Sequence, residues 1–97
     1  MLESEYQRLV KKKLKNKLPG CLVLKTDPNY IQGIPDLLIL YGRKWVALEV
    51  KRSKDAHVQP NQEFYVGELN AMSMSFFIYP ENEDEVIKNV VEYLLAF

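Results

Sequence analysis

The chain has 97 residues and no net formal charge, and 47% of its residues are hydrophobic and 27% charged. These values are ordinary for a soluble globular protein, and we expect one domain spanning residues 1–97. No apolar run approaches the roughly 20 residues that a membrane span needs, and the N-terminus lacks an apolar signal-peptide core. We therefore expect a cytoplasmic protein that does not bind membranes.

The charges are distributed unevenly along the chain. Residues 1–54 contain 12 Lys and Arg against 5 Asp and Glu, whereas residues 55–97 contain 1 against 8. This asymmetry predicts a basic face and an acidic face, of which only the basic face would meet phosphate groups.

The first predicted element is an amphipathic helix from about Glu3 to Leu18, which Pro19-Gly20 ends. On a helical wheel, Glu3 lies nearer the apolar stripe than Glu5 does, so Glu3 is the better candidate to face inward. The helix also carries a group of lysines: Lys11, Lys12, Lys13, Lys15 and Lys17. They are either a solvated face favoured by the helix dipole or contacts to DNA phosphates. The second interpretation is slightly favoured, although five lysines spread around the helix cannot all face one ligand.

A short strand from Cys21 to Thr26 follows, and its single cysteine is predicted to be a small buried residue. The next seven residues, 27–33, have the composition of a loop and lead directly to Asp36. Tyr30 and Gln32 in this loop would therefore lie beside Asp36. They could touch a DNA strand, or the tyrosine could pack down as a lid on the core.

Two apolar strands, Leu37 to Tyr41 and Trp45 to Val50, form the centre of the chain. The Gly42-Arg43 pair between them suits a type II′ hairpin turn, and this turn places Asp36 opposite Glu49. Strand alternation puts Lys51 on the same face as Glu49. The sequence thus predicts two carboxylates and an ammonium group in one cluster.

Directly opposed like charges destabilise a sheet, so such a cluster is expected where a cation binds between the carboxylates. Mg²⁺ commonly takes one or two carboxylates together with waters and phosphate oxygens. The alternative is that Asp36 only starts a strand after a Pro turn and that Glu49 and Lys51 lie on an exposed edge.

The remaining segments are a polar connector, a helix, a strand and a last helix. The connector carries Arg52 and His57, and the lone histidine is expected at the surface. The helix runs from Pro60 to about Asn70, and the strand covers residues 75–79. Asn82 is predicted to cap the last helix in a capping box with Glu85. This order predicts an α/β fold with a mixed four-stranded sheet flanked by helices: an αβββαβ core followed by a C-terminal helix.

The central residues carry a resemblance to a known family. Pro35-Asp36 followed by Glu49-Val50-Lys51 resembles the PD-(D/E)XK nuclease motif. The wider context, Gly33-Ile34-Pro35-Asp36-Leu37-Leu38, Ala47-Leu48-Glu49-Val50-Lys51 and later Gln59-Pro60-Asn61-Gln62, resembles the virus-type replication-repair nuclease (VRR-NUC) domain. The extended string in this order is far more specific than the short motif, and the resemblance covers roughly residues 3–78.

The resemblance implies a role for individual residues. Asp36, Glu49 and Glu3 would hold Mg²⁺ or Mn²⁺, with the Val50 carbonyl as a further ligand. Catalysis would depend on Lys51 and Gln62 in addition to the two central carboxylates. The expected DNA contacts are Lys25, Tyr30, Gln32, Lys11 and Arg52.

The resemblance also implies an activity: metal-dependent, structure-selective cleavage of DNA, with branched DNA such as Holliday junctions as the substrate. A homodimer is expected because a junction is resolved by two cuts and the chain has one candidate site. Two other functions are compatible with the sequence, namely a non-catalytic DNA-binding or scaffold protein and an RNA-directed nuclease.

Overall fold

The computed structural model describes residues 1–96, which form three helices and four strands. The helices are α1 (Glu3–Lys17), α2 (Pro60–Met72) and α3 (Glu83–Leu95), and the strands are β1 (Leu22–Lys25), β2 (Leu37–Tyr41), β3 (Lys44–Val50) and β4 (Met74–Ile78). The order agrees with the prediction, and the boundaries differ by one or two residues. None of these helices has the length and apolar character needed to cross a membrane.

The four strands form one mixed sheet in the order β1-β2-β3-β4. The first three strands are an antiparallel meander, and β4 pairs with β3 in parallel after the chain has passed through α2. The predicted fold class is therefore confirmed. The strand order, which the sequence left open, places β1 and β4 at the two edges.

The β2–β3 hairpin has the predicted register. Leu37 lies opposite Leu48, and Tyr41 lies opposite Lys44 across the turn. Gly42 has a φ of +61°, whereas Arg43 does not have a positive φ. This combination fits a type II′ turn, since a type I′ turn needs positive φ at both central positions. One further step along the ladder brings Asp36 opposite Glu49.

The two faces of the sheet are covered differently. One face forms the hydrophobic core with α1 and α3, and its buried sheet residues are Leu37, Ile39, Val46, Leu48, Val50 and Ile78. The other face meets α2, which buries none of its own residues completely. By strand alternation Glu49 belongs to this second face, where it is reached by side chains from the start of α2.

A polar contact fixes α1 against α3. The Tyr6 hydroxyl donates a hydrogen bond to Glu83 Oε1 at 2.8 Å, and Lys13 forms an ion pair with the same carboxylate. Burial and the adjacent Glu83 carboxylate raise the pKa of Tyr6, so its hydroxyl stays a donor. Because Tyr6 lies one turn after Glu3, this contact also helps to hold the first turn of α1 in place.

The predicted capping box at the last helix is wrong. Asn82 occupies the N-cap position of α3, but its side chain makes no capping hydrogen bond to the helix. Instead, its Oδ1 accepts from the Tyr79 N–H at 2.9 Å and its Nδ2 donates to the Phe77 carbonyl at 3.0 Å. The turn after β4 brings these backbone groups within reach, so the amide joins the end of the strand to the helix.

Candidate active site

Asp36 and Glu49 lie side by side where β2 begins and β3 ends. Directly opposed residues of a sheet have Cβ atoms about 4.5–5.5 Å apart. Asp36 Oδ2 accepts a hydrogen bond from the Val50 N–H at 2.9 Å, so β3 fixes the direction of this carboxylate. Glu49 is only 1% exposed. The predicted pairing of the two carboxylates is therefore present.

The backbone before Asp36 is held by a residue that the sequence did not single out. The Thr26 hydroxyl donates to the Pro35 carbonyl at 2.6 Å and approaches the Asp36 carbonyl at 3.3 Å. The Thr26 N–H donates to the Asp36 carbonyl at 2.9 Å. A threonine at the end of a strand is common for reasons of packing alone, so its sequence position gave no signal of this role.

The environment of Glu49 disfavours its negative charge. Burial raises the pKa of Glu49 to about 9, and the neighbouring Asp36 carboxylate acts in the same direction, while Lys51 opposes them. Glu49 Oε1 is buried and has no hydrogen-bond partner among the described residues. A buried polar atom without a partner costs about 1–3 kcal/mol, and more when it is charged. With its raised pKa, the Glu49 carboxyl keeps a proton at neutral pH that it can share with Asp36, and a bound cation would replace that proton.

Lys51 and Gln62 form a network with the other oxygen of Glu49. Lys51 is only 6% exposed, and its Nζ donates to Gln62 Oε1 at 2.8 Å and to the His57 carbonyl at 2.9 Å. Gln62 Nε2 donates to Glu49 Oε2 at 3.2 Å, and Lys51 Nζ lies 3.9 Å from the same atom. The lysine is thus held by neutral acceptors, and one of its three N–H donors remains.

The start of α2 positions Gln62. Pro60 is the first residue of the helix, and the Gln59 N–H donates to Gln62 Oε1 at 2.9 Å. Gln62 therefore contributes to the helix start and to the Glu49 network at the same time. Gln59 entered the prediction only as part of the resembled Gln59-Pro60-Asn61-Gln62 string, although two glutamines three residues apart around a proline have the spacing of a capping box.

Glu3 is the acidic residue of α1 that faces the site. Its side chain is half-buried, whereas Glu5 is exposed, and the negative charge of Glu3 contributes to the raised pKa of Glu49. Within residues 1–96, however, no three His, Cys, Asp or Glu side chains come together as a metal-binding group. Glu3 thus lies at the margin of the carboxylate pair rather than within it.

The residues at this site fit a hard divalent cation. The candidate ligands are carboxylate and carbonyl oxygens, which Mg²⁺ and Mn²⁺ prefer. A cation between Asp36 and Glu49 would supply the missing partner of the buried Glu49 oxygen and would offset the repulsion between the carboxylates. Two carboxylates are enough, because Mg²⁺ usually keeps several waters. The Val50 carbonyl remains a predicted ligand.

Four of the predicted DNA contacts have exposed side chains. Lys25 is exposed at the end of β1 and pairs with Leu37, the first residue of β2. Arg52 is exposed immediately after Lys51. Tyr30 is 84% exposed, so the alternative that it covers the core as a lid is wrong. Gln32 is exposed and lines a cleft together with Gln62.

The fifth predicted contact, Lys11, lies farther away. It is half-buried on α1, eight residues after Glu3, which corresponds to about 12 Å along a helix axis. The structure therefore does not bring Lys11 to the carboxylate pair, and a contact between Lys11 and DNA would have to involve a more distant phosphate.

The fold of the whole chain was compared with known proteins. No family model and no curated protein matches the sequence. Among solved structures, the chain is similar to a VRR_NUC domain protein with a TM-score of 0.71 and 18% identity, over 97% of this chain and 88% of that one. It is also similar to a VRR_NUC domain with a TM-score of 0.69 and 22% identity, over 94% of this chain and 95% of that one.

These likenesses show that the chain has the fold of the VRR_NUC domains. The resemblance inferred from the Pro-Asp and Glu-Val-Lys segments is confirmed at the level of the fold over nearly the whole chain.

Proposed function

We propose that the protein is a magnesium-dependent endodeoxyribonuclease that hydrolyses phosphodiester bonds in branched DNA, such as a Holliday junction. The observation that carries this proposal is the buried, unpartnered oxygen of Glu49 beside Asp36 and Lys51. Asp36 disfavours the negative charge of Glu49 in the free protein. A divalent cation bound between the two carboxylates would offset this repulsion and give a phosphate group a positive partner.

Each residue has a distinct task in this proposal. Asp36 and Glu49 would hold the ion, with Glu3 and the Val50 carbonyl as further oxygens. When bound, the ion would supply Lewis-acid activation of water and neutralise charge on the phosphate. The remaining N–H donor of Lys51 would stabilise the negative charge that develops on the phosphate oxygens. Gln62 would keep Lys51 and Glu49 in position through its two hydrogen bonds.

A cleavage assay tests the proposal directly. Labelled four-way junctions, flaps, single strands and duplexes are incubated with and without Mg²⁺, alongside a matching RNA panel. We expect cleavage of branched DNA with Mg²⁺ only. Asp36→Ala and Glu49→Ala should abolish cleavage but retain DNA binding, because the removal of a carboxylate lowers the repulsion of phosphate. Glu63→Ala, an exposed change on α2, is the matched control.

Other outcomes of this assay would point to other functions. DNA binding without cleavage of any substrate would favour a non-catalytic scaffold. Preferential cleavage of the RNA panel would favour an RNA-directed nuclease. Cleavage by Asp36→Ala or Glu49→Ala at nearly the wild-type rate would exclude this site as the catalytic centre.

We further propose that two copies of the chain act together as a symmetric dimer. A four-way junction needs two cuts, and a two-fold dimer would supply two sites. Apolar residues at positions 76–78 and 94–97 are the candidates for the interface. Ile78 and Leu94 are buried in the core, and Phe97 lies outside the described residues. Phe76 and Phe77 are half-buried, and Leu95 is 52% exposed.

Sedimentation of the protein at micromolar concentration tests the dimer. We expect a species of twice the 11.4 kDa chain mass. A single species of the chain mass that still cuts both strands of a junction would contradict the proposal.

A further inference from the structure

An uncharged polar cleft lies beside the network of Glu49, Gln62 and Lys51. It has a volume of about 390 Å³, and its lining residues are Pro28, Gln32, Gly33, Gln59, Asn61 and Gln62. One wall is the loop of residues 27–33, and the other is the beginning of α2. Gln62 belongs both to the cleft and to the network, so a molecule in the cleft would lie next to the proposed catalytic site.

The two walls of the cleft meet in a close contact. Gly33 has a φ of +91°, and a Cβ atom at this position would lie 2.7 Å from the side chain of Asn61 and 2.8 Å from its backbone. Only glycine permits this approach without strain. Hydrogen bonds within the loop, from the Tyr30 and Ile31 N–H groups to the Asp27 carbonyl, stabilise the same wall. The cleft is therefore a defined feature of the fold.

The chemistry of the lining indicates the class of ligand. No Lys, Arg, Asp or Glu lines the cleft, which disfavours a phosphate group or a metal ion as the occupant. The side chains of Gln32, Gln59 and Asn61 each carry a donor and an acceptor. Edges of nucleobases present the same mixture of donors and acceptors, and Asn and Gln side chains bind them through paired hydrogen bonds.

We propose that this cleft binds one unpaired nucleobase of the DNA, in the nucleotide that adjoins the cleaved phosphate. The base must be unpaired because a concave cleft can enclose a base only after that base has left the stack. The volume of the cleft lies in the range typical of small-molecule sites. The inference rests on the proposed nuclease function and narrows its substrate to branched DNA in which the base at the cleavage point is unpaired or becomes unpaired on binding.

Cleavage of modified substrates tests this inference. The cleaved bond is first mapped from the products, and substrates with an abasic residue on either side of it are then prepared. We expect one of the two substitutions to slow the wild-type protein on the order of 10-fold. Gln32→Leu should slow cleavage of the unmodified substrate to a similar extent. The abasic substrate that slows the wild type should lower the cleavage rate of Gln32→Leu little further.

A control and a second measurement separate the failure of this inference from the failure of the proposed function. Asn89→Leu on α3 should behave as the wild type does. Independently of cleavage, oligonucleotides with 2-aminopurine at successive positions are titrated with Asp36→Ala protein. We expect a fluorescence change at one position. A double variant that carries both Asp36→Ala and Gln32→Leu should not produce this change.

Equal cleavage of base-containing and abasic substrates would overturn the base-binding inference and leave the nuclease proposal intact. A fluorescence change that Gln32→Leu does not affect would also overturn it. A Gln32-dependent fluorescence change without cleavage of any substrate would support the cleft as a base-binding site and overturn the nuclease proposal.

Discussion

The raised pKa of the buried Glu49 leads to a prediction for the metal-free protein: its stability should fall as the pH rises. The pKa of Glu49 is raised to about 9 by burial and by Asp36, whereas a glutamate in an unfolded chain titrates near pH 4.3. Between these values the folded protein binds a proton that the unfolded chain does not. The stabilisation is complete below about pH 4.3 and is lost as the pH rises to about 9.

The size of this effect follows from the shift in pKa. One pKa unit corresponds to about 1.36 kcal/mol, so the full shift sets an upper limit of roughly 6 kcal/mol. Local relaxation and water entry reduce such penalties, and we expect a loss of about 2–4 kcal/mol between pH 5.5 and pH 8.5. For a domain of this length, each kcal/mol changes the melting temperature by about 4–8 °C. The melting temperature should therefore fall by on the order of 10 °C.

Glu49→Gln isolates this contribution, because glutamine fills the same space and does not titrate. Melting temperatures of the wild type and the variant are measured in EDTA at pH 5.5, 7.0 and 8.5. We expect the melting temperature of the variant to rise relative to that of the wild type as the pH increases. Glu63→Gln, which changes an exposed glutamate on α2, should follow the wild type. Parallel pH curves for the wild type and Glu49→Gln would show that Glu49 does not have a raised pKa in the folded protein.

Three further predictions concern the residues around the carboxylates. Lys51→Ala should lower the cleavage rate by about 10²–10³, as expected for the loss of one transition-state contact, and single-turnover kinetics measures this. Thr26→Val should weaken Mn²⁺ binding on the order of 10-fold or more, measured by calorimetry, because it frees the backbone beside a metal-site carboxylate; unchanged affinity would argue against this role. Gly33→Ala should lower the melting temperature more than Gly20→Ala does, since both glycines have a positive φ but only Gly33 would bring a Cβ against Asn61.

Much of the fold could be predicted because local signals agreed with one another. The two-residue turn at Gly42-Arg43 and the alternation of the flanking strands determine the register of the hairpin. That register brings Asp36 and Glu49 together, so the centre of the candidate site followed from the sequence.

The remaining features depend on contacts that the sequence does not encode locally. Thr26 supports Asp36 from a neighbouring strand, and Asn61 contacts Gly33 from a helix that begins far along the chain. Asn82 has the sequence signal of a helix cap, but an amide can equally bond to nearby backbone groups. In this chain the end of β4 supplies those groups.

Binding of a divalent cation by Asp36 and Glu49 can be measured by calorimetric titration. Mn²⁺ and Mg²⁺ are titrated into the metal-free wild type and into Asp36→Asn, with Glu63→Gln as the control. We expect saturable binding to the wild type and the control, and its loss in Asp36→Asn. Binding to Asp36→Asn with wild-type affinity, or no binding to the wild type, would contradict this expectation.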